Sequence, residues 1–355
     1  MKKIDIKEKI KKQFVVRDKQ AEYNKIVKHN KEIVKLLRNK TTQISDKPMN
    51  ERDNLRIYGT SNPNKANNTN QINLKPLNHY DDINANNTKK NIVVYENNYI
   101  TNKNIRQSII ISYKENDEYR KINLKKLLNY LSQALDDSTE IILVEQDENS
   151  KLNWLSEIEK HNEINHIFLK NMGIFNKGWG YNVGVKEARG NCLIFHDSDI
   201  FIKLDSYSTS LELLNKFDVI NPYKSISSLN KKNSDLFIPN EYKYVFIKND
   251  NIDEMPPISG GIFMIKKKNF LNLKGFDENC FGWGYEDSIF DTKIRKMELS
   301  IYLCDDTAVH LYHKNITEHS NDIYYSFQIR NKDIYNKYLN MSKEELENKI
   351  KNINF

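Results

Sequence analysis

Two carboxylates, Asp197 and Asp199, follow directly on the apolar run at 192–195 and sit about one side-chain length apart. That spacing suits a hard divalent cation, Mg2+ or Mn2+, that shares its shell with a diphosphate. Taken alone it is a weak signal, because short acidic pairs at strand ends are ordinary in a chain with 48 Asp and Glu. A second set comprises Ser259-Gly260-Gly261-Ile262-Phe263 and the stretch GFDENCFGWGYEDSIF at 275–290. Paired glycines let backbone come close to a ligand, and Trp283 between two glycines can lay its indole against a sugar face. Glu286 and Asp287 open a helical stretch whose N-terminal dipole favours the ionised carboxylate that a general base needs. The plainer alternative makes the two acids helix caps and Trp283 a core residue. A third set is the apolar segment 308–313 with its two histidines. On spacing alone His310 is as readily structural as a metal ligand. Finally, Phe175-Asn176-Lys177 and Asn182-Val183-Gly184 lead into a helix, where tight glycine turns can approach a nucleotide, although neither is a Walker or dinucleotide pattern.

These residues need elements to hold them. Of the 11 glycines, ten lie between Gly173 and Gly284, so unusual backbone is concentrated there. From Arg106 onward strands and helices alternate. Strands are expected at 108–113, 140–146, 166–170 and 191–199, the last running into acidic residues, and Leu124, Leu127, Leu128, Leu131 and Leu135 mark one face of a helix. Such alternation predicts an α/β domain with a mostly parallel sheet covered by helices on both faces. Ligands of such sheets bind beyond the carboxyl ends of the strands, here Asp147, 173–184 and 196–199. The tripeptide Gly-Trp-Gly occurs twice, at 178–180 and 282–284.

The chain has 355 residues and a net charge of +7, too small for its size to mark a nucleic-acid binder. Residues 1–60 carry 17 Lys and Arg against 8 Asp and Glu, whereas the remainder is slightly acidic. That basic, helix-patterned segment is read as a solvated helical pair, or as a peripheral membrane or partner contact. Residues 61–104, with five Asn among 61–70, read as a linker or wrapping segment, 105–320 as the catalytic domain and 321–355 as C-terminal helices. No run of 18 apolar residues and no signal-like start are seen, which makes a cytoplasmic protein the expectation, with peripheral contact at the inner face of a membrane left open. Three widely spaced cysteines exclude a disulfide framework.

In their order, the segments FNKGWGYNVG (175–184), FHDSD (195–199), SGGIF (259–263) and GFDENCFGWGYED (275–287) resemble the β-1,4-galactosyltransferases and their bacterial relatives. The resemblance covers about Ser108 to His313. It implies a GT-A glycosyltransferase fold, a UDP-sugar donor with Mn2+ or Mg2+, and inverting transfer of a hexose or N-acetylhexosamine to a hydroxyl. By it Phe175, Asn176 and Lys177 border the uridine, Asp199 is a metal ligand with Asp197 nearby on metal or ribose, and His310 completes the shell. Gly260, Gly261, Trp283 and Glu286 surround donor sugar and acceptor, and Asp287 matches the catalytic base. Ile258 is placed beside the sugar's C2 substituent, which favours UDP-GalNAc over UDP-Gal. Departures are Lys177 where the family usually has arginine, Tyr285 where it has glycine, and the loop SYKENDEYR in place of a proline-aromatic-arginine pattern. The acceptor implied is a glycan, a lipid-linked glycan of a bacterial surface polymer, or a protein. Competing readings are a retaining polypeptide-type N-acetylgalactosaminyltransferase, which usually lacks a carboxylate at the place of Asp287, and a non-catalytic sugar-binding or scaffold protein.

Overall fold

Ile109, Ile110 and Ile111 are all fully buried, as a strand covered on both faces requires, and lie within an eight-stranded sheet in the computed structural model. The structure describes residues 92–94, 104–134, 136–158, 164–239, 251–254, 258, 260–314, 321–353 and 355. They belong to one compact unit, Thr88–Phe355. The basic segment 1–60 and the Asn-rich stretch up to Asn87 lie outside the described residues.

The first half of the unit runs β1 (Ile92–Val94), β2 (Gln107–Tyr113), α1 (Glu118–Ala134), β3 (Thr139–Asp147), β4 (Ile164–Lys170), α2 (Lys177–Glu187) and β5 (Cys192–His196). There follow β6 (Ile200–Phe201), α3 (Leu204–Leu213), β7 (Val219–Asn221), β8 (Ser225–Ser228), α4 (Lys231–Leu236) and β9 (Asn251–Glu254). The last part comprises β10 (Ile262–Lys266), α5 (Lys267–Asn272), α6 (Glu286–Lys296), β11 (Ile301–Leu303), β12 (Thr307–His310), α7 (Asn321–Asn340) and α8 (Lys343–Lys351).

The large sheet has the order β1-β4-β3-β2-β5-β10-β7-β11. Strands β4, β3, β2 and β5 are mutually parallel, and β10 runs antiparallel to both of its neighbours. Alternation along β2 divides the core. Ile109 and Ile111 pack with the α1 leucines at 124, 127, 128 and 131, while Ile110 packs on the other face with Trp179, Val183 and Val185 of α2. The expected α/β sheet with helices on both faces is therefore present.

Two features differ from the sequence reading. Residues 92–94, read as part of a linker, pair antiparallel with β4 and extend the sheet at its edge. A second, four-stranded sheet of order β6-β12-β8-β9 was not anticipated, because its strands are two to four residues long and β8, Ser-Ile-Ser-Ser, lacks an apolar run. This small sheet matters for the site. It pairs His310 with Ile200 and so carries the histidine segment to the residue after Asp199.

Candidate active site

The first cluster is built by that pairing. With β12 antiparallel to β6, the Leu311 amide donates to the Asp199 carbonyl at 2.9 Å, and the side chains of His310 and His313 each approach one oxygen of the Asp199 carboxylate. His310 Nε2 is 3.7 Å from Asp199 Oδ1, and His313 Nε2 is 3.5 Å from Oδ2. One ligand atom from each of the three falls within 4.8 Å of the others, and it is the single group of this kind among the described residues. Burial favours the neutral form of Asp199, but the charges of His310, His313, Arg120 and Lys177 outweigh it and hold the carboxyl below its ordinary range. Desolvation lowers the His310 pKa against the opposing pull of the Asp199 charge.

Arg120, in the first turn of α1, donates to Asp199 Oδ2 at 3.3 Å and lies 3.4 Å from His313 Nδ1. It is the arginine of the loop SYKENDEYR. From 79 residues upstream of Asp199, no local spacing could have announced this contact. His313 could have been found, since it stands three residues beyond His310 in the same segment.

A second cluster adjoins the first. Because Ile262 of β10 pairs with His196 of β5, Gly261 lies opposite Asp197: the Asp197 amide donates to the Gly261 carbonyl at 2.8 Å, and the Gly261 amide donates to Asp197 Oδ2 at 3.0 Å. Tyr181 donates its hydroxyl to Asp197 Oδ1 at 3.0 Å. Lys177 Nζ lies 2.8 Å from Asp197 and 3.3 Å from Asp287, so a single ammonium joins the acidic strand end to the start of α6. Burial opposes the charge of Lys177, but Asp197 and Asp287 hold it well above its ordinary pKa. Asp197 thus faces Lys177, Tyr181 and Gly261, and it stands outside the Asp199–histidine group.

Glu286 and Asp287 do open a helix, as expected. Their electrostatics are nevertheless reversed from the helix-end expectation. Burial, reinforced by the neighbouring Asp287 charge, pushes Glu286 up to about 7, and burial also raises Asp287 against the pull of Lys177. Desolvation outweighs a helix terminus whose effect is worth only about 0.3–1 kcal/mol at exposed sites.

Gly260 and Gly261 have φ of 102° and 83°, backbone that L side chains rarely adopt. A Cβ at Gly260 would meet Asp287 Oδ2 at 3.2 Å, so this bare backbone lies against the acidic cluster, as its reading as a site residue requires. Trp283 is 44 % exposed, which excludes the core alternative for it. Phe175 is half-buried, and its carbonyl accepts from the Gly282 amide at 2.8 Å. Asn176 is buried. Its side chain caps α2 by accepting from the Trp179 amide at 2.9 Å and donates to the Glu278 carbonyl at 2.6 Å. It braces two loops where the resemblance placed it beside the uridine. Ile258 is 1 % exposed and packs in the same cluster as Phe263 and Phe290.

Residues 108–321 match the family model described as glycosyltransferase-like family 2. The chain belongs to this family. The match spans β2 to the first residue of α7 and includes both clusters, and with it the parallel sheet, the reversed β10 and the acidic end of β5 read as a GT-A fold. Among solved structures, GalNAc-T7 with UDP, GalNAc and Mn2+ is 16% identical, with a TM-score of 0.49, over 67% of this chain and 48% of that one. Staphylococcus aureus TarS is 16% identical, with a TM-score of 0.42, over 59% of this chain and 37% of its own. The TarS fragment 1–349 with UDP-GlcNAc is 13% identical, with a TM-score of 0.45, over 69% and 70% of the two chains. The alignment thus spans about a third of full-length TarS and half of GalNAc-T7. No curated protein matches the sequence. Among the described residues, no helix is long and apolar enough to cross a membrane.

Proposed function

We propose that this glycosyltransferase moves a hexose or N-acetylhexosamine from a UDP-sugar to a hydroxyl acceptor with inversion, using a site of the β-1,4-galactosyltransferase kind, in the synthesis of a bacterial surface glycan. The observation that carries the reading is the Lys177 bridge, which draws Asp197 and Asp287, 90 positions apart in sequence, into one charged cluster.

Asp199, His310 and His313 would hold the metal. One carboxylate oxygen with two imidazole nitrogens fits a first-row transition ion such as Mn2+ better than Mg2+, which prefers an oxygen shell. When bound, such an ion supplies positive charge to the leaving diphosphate. Asp287 accepts the proton of the acceptor hydroxyl as its oxygen forms the bond to the anomeric carbon. The bond from that carbon to the diphosphate oxygen breaks, and UDP leaves with the electron pair. A carboxyl raised by burial is better matched to this proton transfer near neutral pH than an ordinary one. Lys177, facing both Asp197 and Asp287, keeps that carboxylate from being an isolated buried charge.

The test is UDP release from UDP-Gal, UDP-GalNAc, UDP-Glc and UDP-GlcNAc with and without Mn2+, followed by the anomeric configuration of the product. Metal-dependent release with inversion is expected, together with a fall in transfer of about 10²–10⁴ for Asp287→Asn while donor affinity is kept. A product that retains configuration would move the chain to the polypeptide-type mechanism. Release with none of the four donors would remove the reading.

A further inference from the structure

Between α5 and α6 the chain runs through 277–285 without a strand or helix, and three of its last four residues are left-handed: Gly282, Gly284 and Tyr285, with φ of 74°, 98° and 73°. A left-handed tyrosine costs about 1–2 kcal/mol and persists only where the surroundings over-determine it. The surroundings that do so come from α7. Asn331, 1 % exposed, donates to the carbonyls of Phe281 at 2.8 Å and Gly284 at 3.0 Å, and these two acceptors straddle Trp283. Its own Oδ1 is buried and accepts nothing, so the side chain works purely as a double donor. Tyr335 packs its ring on Tyr285 at 5.4 Å, and the Tyr338 hydroxyl donates to Asp277 Oδ2 at 2.7 Å. On the opposite side the same segment is tied to the start of α2 through Gly282 to Phe175 and Asn176 to Glu278. Within this clamp the indole of Trp283 stays 44 % exposed.

We propose that Asn331 is a positioning residue for the acceptor side of the site: by holding the carbonyls on either side of Trp283 it fixes the indole and, through Tyr285, the first turn of α6 that carries Glu286 and Asp287. The proposal rests on the reading of this pocket as a UDP-sugar transferase site. All but the first residue of α7 lies beyond the family match, so the brace is carried by a part of the chain that the family pattern does not include.

The experiment compares wild type with Asn331→Asp, which replaces both donated hydrogens by a charge facing two carbonyls, with Asn331→Gln, which restores an amide on a longer arm, and with Leu131→Ala, a destabilising change in a core cluster separate from the one that holds Tyr338. A p-nitrophenyl β-hexosaminide serves as acceptor probe, and acrylamide quenching referenced to Trp283→Phe reports the indole without any need for turnover. For Asn331→Asp the acceptor KM is expected to rise about tenfold or more and Trp283 to become more readily quenched, and Asn331→Gln should recover part of both. Equal changes in Leu131→Ala, or an unchanged Trp283 signal in Asn331→Asp, would overturn the proposal. If no donor is turned over at all, the transferase reading fails while the quenching result still decides whether Asn331 positions Trp283.

Discussion

The same tripeptide, Gly-Trp-Gly, is used in two opposite ways. At 178–180 it lies in the first turn of α2, where Trp179 is 9 % exposed and packs in the core cluster that also holds Ile110 and Val144. Gly180 is there for close approach, since a Cβ would stand 2.0 Å from Ser112 Oγ and 2.7 Å from Gln146 Nε2. At 282–284 both glycines are left-handed and the indole between them is exposed. A glycine in a helix spares space, whereas a glycine in a bend spares conformation. The first tripeptide is a packing device and the second a presentation device, and their sequences are identical.

The comparison can be broken most severely at Trp179. Trp179→Ala should destabilise the fold by about 3–5 kcal/mol, which calorimetry or urea unfolding would read, with activity lost only in proportion to folded protein. Gly180→Ala should cost about 1–3 kcal/mol through overpacking against Ser112, and the double variant with Ser112→Gly should recover most of it. An unchanged melting temperature for Gly180→Ala would show that α2 can shift away from β2. Trp283→Ala is the converse. Its unfolding free energy should stay within about 0.5 kcal/mol of wild type, while acceptor-dependent transfer falls by roughly 10–100-fold. A large stability loss there would erase the distinction between the two tripeptides.

The smallest effect sharpens the second region electrostatically. Glu286 has a folded-state pKa of about 7, above that of an exposed glutamate, so between roughly pH 4.5 and 7 the folded state binds more protons than the unfolded one. Stability should therefore fall as pH rises through this window and level off above it. In Glu286→Gln that component of the slope should vanish. A slope of the same size in the variant would assign the proton uptake to another group.

Much of this was legible in the sequence where burial is on both faces, because short apolar runs such as 109–111 and 141–144, set between helical patterns, point to strands of a covered sheet. The acidic strand end, the paired glycines and the carboxylates opening α6 were also visible as residue types at ordered places. Ile258, whose register was taken from the neighbouring glycines, has a left-handed backbone at φ 54° and packs in the core cluster with Phe263, a burial that local spacing does not announce. The ionisation of Glu286 depends on desolvation by distant segments, which no local spacing encodes. Arg120 and Asn331 were invisible because each acts on partners dozens of residues away.

The reversal of β10 has one more consequence. An antiparallel neighbour begins where β5 ends, so Gly260 and Gly261 arrive beside Asp197 by ladder pairing alone, whatever path the chain takes between them. The connections between the elements of the excursion from the end of α3 to Gly260 can then change in length at small cost, since each doubling of a flexible connection adds only about 0.6 kcal/mol of closure cost, whereas β7 and β8 are fixed by their own pairings with β10 and β12. Natural variation in this family should therefore accumulate as insertions and deletions in that excursion, whereas a change of a single residue between Gly261 and Ile262 would exchange the two faces of β10 and dismantle the pocket.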